Sequence, residues 1–476
     1  MAGEGLVVMP AGTGAATPAG SPGHPPVDLL IAGAELVTTM DHGREVKGGW
    51  VAVDGGLVSA VGGPGTEPPA RRTLRADGCL VTPGLVNTHH HIYQNLTRAF
   101  APAVRCGLFG WLRALYPHWA RIDEESVYLS AFAGLAELAL GGCTTTTDHL
   151  YVHPAGAGDL LGAEIAAARE MGVRFHPTRG SMSRSEDDGG LPPRSVCQDE
   201  ETILAASEAA VKAHHDRSHG AMVRIALAPC SPFSVSRELM KATAELAERL
   251  DVRLHTHLAE DPDEDGYCQE TYGCRPVELF EEVGWLTGRS WVAHCVHPDT
   301  AEVAKLGEAG VGVAHCPSSN LVLGTGLAPI AELLAAGAPV GLGCDGSSSA
   351  DSASLWLEAR TALLLGRLRS GAASTGAREA LELATLGGAA CLGREGEIGV
   401  LRPGAVGDVV CWQLTGPSFA GALSDPVEAL LRCGPLSAYH TVVAGHAVVE
   451  EGRLTNPDVD DRLRRHRAAA ARVQRS

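Results

Sequence analysis

A (β/α)8 TIM-type barrel carrying a small β-sandwich domain built from both chain ends is the α/β fold this sequence predicts. Three observations predict it. Eight short apolar runs alternate with helix-period segments through the middle of the chain, the pattern of a parallel α/β architecture. Turn-punctuated segments of β character flank that middle on both sides. Histidines and carboxylates follow the apolar runs, at the strand ends where barrel enzymes place their chemistry.

Taken in order, residues 1–26 are rich in Ala, Gly and Pro, with neither a basic start nor an apolar core. A disordered extension is expected there, not a secretory signal. Residues 27–82 read as the first part of the β-domain, with Asp54-Gly55 marking a hairpin turn. The barrel is assigned to residues 83–396. Its first four strands are expected at Leu80-Val81 leading to Leu85-Val86, Thr144–Thr147, Val173–His176 and Arg224–Ala228. The other four are expected at Val252–His257, Ser290–His294, Val311–His315 and Val340–Asp345. Eight strands are the number that closes such a barrel. Helix-period segments, among them Ser126–Leu140 and Arg237–Leu250, lie between them. Residues 397–455 return to β texture and complete the sandwich. The Arg/Ala-rich stretch 456–476 is expected as a peripheral C-terminal helix.

Composition narrows the partners. A formal net charge of -18 opposes binding to a nucleic-acid backbone, and no apolar run reaches membrane-spanning length. A small neutral substrate suits such a chain better. The thirteen cysteines are odd in number and scattered, without a Cys-x-x-Cys pair, which suits reduced thiols in a cytoplasmic protein.

The run Asn87-Thr88-His89-His90-His91 follows the first apolar stretch. Alternation at a strand end puts His89 and His91 on one side, and two converging imidazoles make half of a metal site. Alone, the run reads more readily as surface or helix-start histidines. Later strand ends supply His257 with Glu260, then His294, then Asp345. His89, His91, His257 and Asp345 can hold one divalent cation, zinc or iron, with room left for water. Glu260, three residues past His257, would stand above the metal and shuttle a proton; its other reading is a cap of the next helix. His294 is expected to face the substrate or the attacking water, and Asp345 to accept that water's proton. His255 is expected on the opposite side of its strand, as a packed histidine or one that supports a ligand from behind. No lysine ends strand four, so a carbamylated lysine bridging two metals is not available and one metal is expected.

Substrate-side candidates come from the loops. Gln94 offers a donor and an acceptor to a lactam edge, or is a plain surface residue. Trp111 stacks over a planar ring or packs in the core. Arg179 fixes a ring carbonyl or serves a structural salt bridge. Cys230 is a core thiol, a substrate contact or a soft ligand for a second metal. The stretch Ser181–Gly190 reads as a mobile lid.

These residues resemble the amidohydrolase superfamily, in its mononuclear metal-dependent deaminase branch, and the likeness runs from Val27 to about Gly452. The stretches Pro83–Gln94, Leu108–Leu112, Asp188–Pro193 and Ala228–Ser236 are similar to its oxopurine deaminases, and triazine, guanine and pterin enzymes share parts of them. The resemblance implies the metal ligands and acid/base residues named above. It implies hydrolytic deamination of an amino-substituted heteroaromatic ring, an oxopurine or a related guanine- or isocytosine-type base. A hydroxytriazine hydrolase or pterin deaminase is the alternative. Residues Cys316–Asn320 and Cys344–Asp351 depart slightly from the pattern, on substrate-side loops. A homodimer is expected.

Overall fold

The computed structural model describes residues 25–422 and 424–475, so the extension expected over residues 1–26 lies outside them except for its last two residues. Eight parallel strands close a barrel: Leu85–Asn87, Cys143–Leu150, Arg174–Ser181, Ala226–Pro229, Leu254–Leu258, Ser290–His294, Gly312–His315 and Val340–Leu342. The eighth pairs back onto the first through Leu342 and Asn87. Every residue of these strands is buried, as strands covered on both faces must be. Alternation assigns the faces. Val292 and Val313 belong to the core that includes helix residues, while Trp291 and Ala314 pack inside the barrel with Val86 and Ala226.

One strand assignment changes. Leu80 and Val81 belong to Cys79–Pro83, which pairs antiparallel with Val409–Gln413 in an accessory sheet. Gly84 lies between that strand and the barrel, and a Cβ there would sit 2.0 Å from Thr144 Oγ1. The apolar run is therefore continuous in sequence but is shared between two sheets, with glycine at their close approach.

The accessory sheets have seven and four strands. The Cys79–Pro83 and Val409–Gln413 pairing joins the two ends of the chain. Leu29, Ile31, Val51 and Val53 of the smaller sheet pack on Val81, Val409 and Cys411 of the larger. The expected hairpin is present, with Asp54 opposite Leu57 and positive φ at both Gly55 (56°) and Gly56 (78°). That is the backbone of a tight two-residue turn.

Helices cover the barrel, and some do so through a single apolar stripe. In Arg237–Leu250 the buried Leu239, Met240, Thr243, Leu246 and Ala247 recur at helical spacing, and the Ser236 side chain caps its start. The helix Val459–Val473 is not merely peripheral. Its Ala469 and Val473 are buried in a cluster with Leu96 and Trp119, and Gln474 Nε2 donates to the Leu96 carbonyl at 2.6 Å. It braces the turn that follows His91. Among the described residues no helix is long and apolar enough to cross a membrane.

Candidate metal-dependent active site

At the C-terminal end of the barrel, Asp345-Gly346 pairs in parallel with His90-His91. This brings the end of strand eight beside the end of strand one. Asp345 Oδ1 lies 3.3 Å from Nε2 of both His89 and His91. His257 enters from strand five, with its Nε2 3.0 Å from that of His91.

The outer nitrogens of these rings are held from behind. His91 Nδ1 donates to the His149 carbonyl at 2.8 Å and His257 Nδ1 to the Cys230 carbonyl at 2.6 Å. Carbonyls only accept, so both Nδ1 atoms carry protons and, in rings that burial keeps neutral, both Nε2 atoms carry lone pairs. Two lone pairs at 3.0 Å repel unless something positive lies between them. His89 Nδ1 pairs with His255 Nε2 at 2.8 Å, and its own Nε2, beside Asp345, is buried without a hydrogen-bond partner among the described residues. The donor set therefore fits a cation bound by neutral imidazoles and a carboxylate, with each ring fixed by its other nitrogen.

His255 corrects an expectation. Residues two apart on a strand share a face, so His255 points inward with His257, one layer deeper, and supports His89. Its other nitrogen, Nδ1, pairs with the Trp291 carbonyl at 2.9 Å. His149 was not singled out because strand two runs beyond Thr147, to Leu150. It joins His89, His91 and His257 in one potential ligand group, while His89, His257, His294 and Asp345 form a second.

Glu260 reaches the cavity through a left-handed residue, Ala259 (φ 52°), directly before it. Glu264 secures that turn by accepting from the Ala259 and Glu260 amides, each at 2.9 Å. Burial, followed by the nearby charges of Asp345 and Glu264, pushes the Glu260 carboxyl well above its ordinary range. That direction favours the protonated, neutral carboxyl. His294 also has positive φ (70°), and its Nδ1 pairs with Asn320 Oδ1 at 2.9 Å. Its Nε2 then faces Glu260 at 3.6 Å and Asp345 at 3.9 Å. Left-handed backbone at Ala259, His294 and Asp345 (φ 55°) stores strain where three side chains are aimed.

Gln94, Trp111, Cys230, Glu260, His294 and Asp345 line the same cavity as His91 and His257. Both amide atoms of Gln94 are buried without a hydrogen-bond partner among the described residues. Trp111 packs edge-on against Trp119 and donates from Nε1 to the Ser348 carbonyl at 3.1 Å. Burial pushes the Cys230 thiol up to about 12, which disfavours the thiolate a metal would need. Tyr116, Tyr151, Phe233 and Leu323 complete the walls. Tyr116 and Leu323 lie on helices and Tyr151 and Phe233 just past strand ends, and nothing in the sequence separated such apolar wall residues from core.

Two expectations are corrected. Arg179 does not reach this cavity. It shares outward parity on strand three with Phe175, bonds Gln198 Oε1 at 2.7 Å and lines a separate surface basin with His153 and Asp159. None of Ser181–Gly190 lines the cavity either. It is tied down locally and to its neighbours, with Ser185 Oγ donating to Asp188 at 2.8 Å and Arg184 Nη1 to Tyr272 Oη at 3.1 Å. The roof is instead the helix Leu108–Trp119, through Leu108, Trp111 and Leu112. Beneath it the cavity measures only about 30 Å³, roughly the volume share of one water.

The model of the amidohydrolase family matches residues 80–448. An 8-oxoguanine deaminase from Pseudomonas aeruginosa is 48% identical over 432 residues, covering 90% of this chain and 96% of that protein. An isoxanthopterin deaminase from an unknown prokaryotic organism is 31% identical, covering 92% of this chain and 95% of that one. Among solved structures, an atrazine chlorohydrolase from Arthrobacter aurescens TC1 complexed with zinc is 34% identical. It superposes with a TM-score of 0.89 over 93% of this chain and 100% of that chain.

Proposed function

The chain belongs to the amidohydrolase family, and from that membership we propose that it is a metal-dependent aminohydrolase deaminating an oxopurine. The substrate is 8-oxoguanine or a related guanine- or isocytosine-type base, and ammonia is released. The observation that carries this reading is the convergence of the His/Asp donor set and Glu260 beside the unpartnered amide of Gln94. The identity to the Pseudomonas aeruginosa enzyme supports the choice of base.

His89, His91, His257 and Asp345 would hold one divalent cation. Zinc is favoured by the zinc-bound structural relative, though the donor set also suits Fe2+. When bound, the cation supplies Lewis acidity that brings the pKa of a coordinated water toward neutrality. Asp345 accepts the proton of the attacking water, its Oδ2 oriented by Ser349 Oγ at 3.0 Å. Glu260, protonated by virtue of its burial, donates to the ring nitrogen beside the amine-bearing carbon. Loss of local aromaticity leaves that carbon electrophilic. His294 presents Nε2 to the attacking water and orients it, with Asn320 fixing the ring. The proton taken up by Asp345 passes to the exocyclic nitrogen, the C–N bond breaks to expel ammonia, and the hydroxyl proton of the adduct returns to Glu260 as the ring carbonyl forms. Gln94 offers an N–H and a C=O to the lactam edge of the base, and Trp111 closes over its face. A cytoplasmic location, favoured by thirteen free cysteines, and assembly as a dimer complete the proposal.

The likeness to an atrazine chlorohydrolase favours a second reading, displacement of a substituent from a triazine by the same residues. Ultraviolet spectra and ammonia release over 8-oxoguanine, guanine, isocytosine, isoxanthopterin and hydroxytriazines separate the two. Turnover of oxopurines is expected to dominate. Ammonia-free turnover confined to triazines would overturn the assignment.

A further inference from the structure

The roof helix Leu108–Trp119 brings two side chains with polar atoms to the cavity, Trp111 and Tyr116. The Trp111 indole already donates to the Ser348 carbonyl. Tyr116 has no such use for its hydroxyl. The residue is 1% exposed, and its Oη is buried without a hydrogen-bond partner among the described residues. An unmatched buried hydroxyl is costly, and in a cavity wall it points to a partner that enters with the ligand. Burial also pushes this hydroxyl well above the ordinary phenol range, so it stays a donor. The other phenol of the wall, Tyr151, stands elsewhere. Its ring meets His91 edge-on at 5.0 Å, low in the cavity beside the donor set.

The Tyr116 ring has a set direction. It packs edge-on against Trp119, ring centroids 5.8 Å apart, and Trp119 Nε1 donates to Thr97 Oγ1 at 3.0 Å. Only the hydroxyl proton is free to turn. At about 30 Å³ the cavity admits a bicyclic base only once the roof rises, and a rigid helix carries Trp111 and Tyr116 together.

Floor and roof divide the base between them, given the catalytic reading above. The amine-bearing carbon of an oxopurine must meet the His/Asp donor set on the floor, with Gln94 on the lactam edge of the six-membered ring. The five-membered ring, at the other end of the bicycle, then faces the roof. In 8-oxoguanine that end carries a second carbonyl. Guanine lacks the oxygen, and isocytosine lacks the whole ring. We propose that the Tyr116 hydroxyl donates a hydrogen bond to the carbonyl oxygen of the five-membered ring and so selects 8-oxoguanine over guanine and isocytosine.

Metal-loaded wild type and Tyr116→Phe, compared on these three bases, test the contact. For 8-oxoguanine kcat/KM is expected to fall about tenfold to a hundredfold. The loss should appear in KM, because a contact remote from the reacting carbon binds ground and transition states alike. Guanine and isocytosine should keep their wild-type kcat/KM. With no protein partner to lose, the variant should melt no lower than wild type. Equal losses on all three bases, or undiminished kcat/KM on 8-oxoguanine, overturn the contact. If Tyr116→Phe does not fold, wild type alone decides. A preference for 8-oxoguanine over guanine of about tenfold or more supports the contact, and a smaller one overturns it. Wild type inert on all three bases overturns the catalytic reading itself, and the contact with it.

Discussion

Glu260 and Gln94 separate the two tasks of the site, proton transfer and recognition, and each can be removed alone. Glu260→Gln keeps the shape but cannot cycle a proton. Turnover is expected to fall by about 10²–10⁴, with metal content by atomic absorption unchanged. Gly346 tests recognition through Gln94; because it adjoins Asp345 and pairs with His91, metal content is measured alongside. A Cβ there would fall 1.7 Å from Gln94 Oε1, so Gly346→Ala must push the amide out of place. Losing a buried hydrogen-bonding pair costs about 1–3 kcal/mol, so KM or kcat/KM for the oxopurine should worsen roughly tenfold or more. An unchanged kcat/KM in Gly346→Ala would dismiss the role of Gln94. The ligands were legible in the sequence because metal chemistry needs particular residue types at strand ends. Glu264 acts through a local turn, His149 through its backbone carbonyl and Asn320 through a side-chain contact between distant segments, none of which spacing announces.

At the scale of elements, the ligand segment is held by the strand beside it. Asp148 on strand two accepts from the Ile92 amide at 2.6 Å, directly after His91, while the neighbouring His149 carbonyl holds the His91 ring. Behind Asp148 stands Glu164 of the helix Leu160–Met171, fully buried, with neither oxygen bonded to any donor among the described residues. Two adjoining buried carboxyls without a cation must share a proton, and burial raises Asp148 to about 7. Glu164→Gln retains a donor to Asp148 and should hold its metal like wild type. Glu164→Ala should release it faster to a chelator, read as the half-life of activity in excess chelator. Equal half-lives for Glu164→Ala and wild type would remove the clamp. The eight-strand alternation was readable because buried parallel strands are short apolar runs. What misled was continuity: the run Cys79–Val86 looked like one strand and is divided between sandwich and barrel at Gly84. Arg179 failed for a related reason, because parity, which decides inside from outside, needs a strand's true register.

For the whole molecule, burial of titratable groups sets a pH window of stability. Burial lowers His90, His255 and His315 to about 3 from an ordinary 6.5. Their contribution is present above about pH 6.5 and is lost as pH falls toward 3, each by up to about 1.4 kcal/mol per pH unit. Burial raises Glu264 to about 7 and Glu358 to about 8 from 4.5. Their contribution is present below about 4.5 and is lost as pH rises through those values. The two trends together place the stability maximum of demetallated protein near pH 6.5, measurable by denaturant unfolding. Glu358→Gln should flatten the decline between about pH 6.5 and 8, and an undiminished decline would remove Glu358 from that account. The central claim is that His89, His91, His257 and Asp345, drawn from three distant parts of the chain, hold one catalytic cation. Its most direct test is a titration of stripped protein with zinc while ammonia release from 8-oxoguanine is followed. Activity is expected to rise from nothing and to break at one equivalent per chain. Full turnover by stripped protein, or a break at two equivalents, would contradict it.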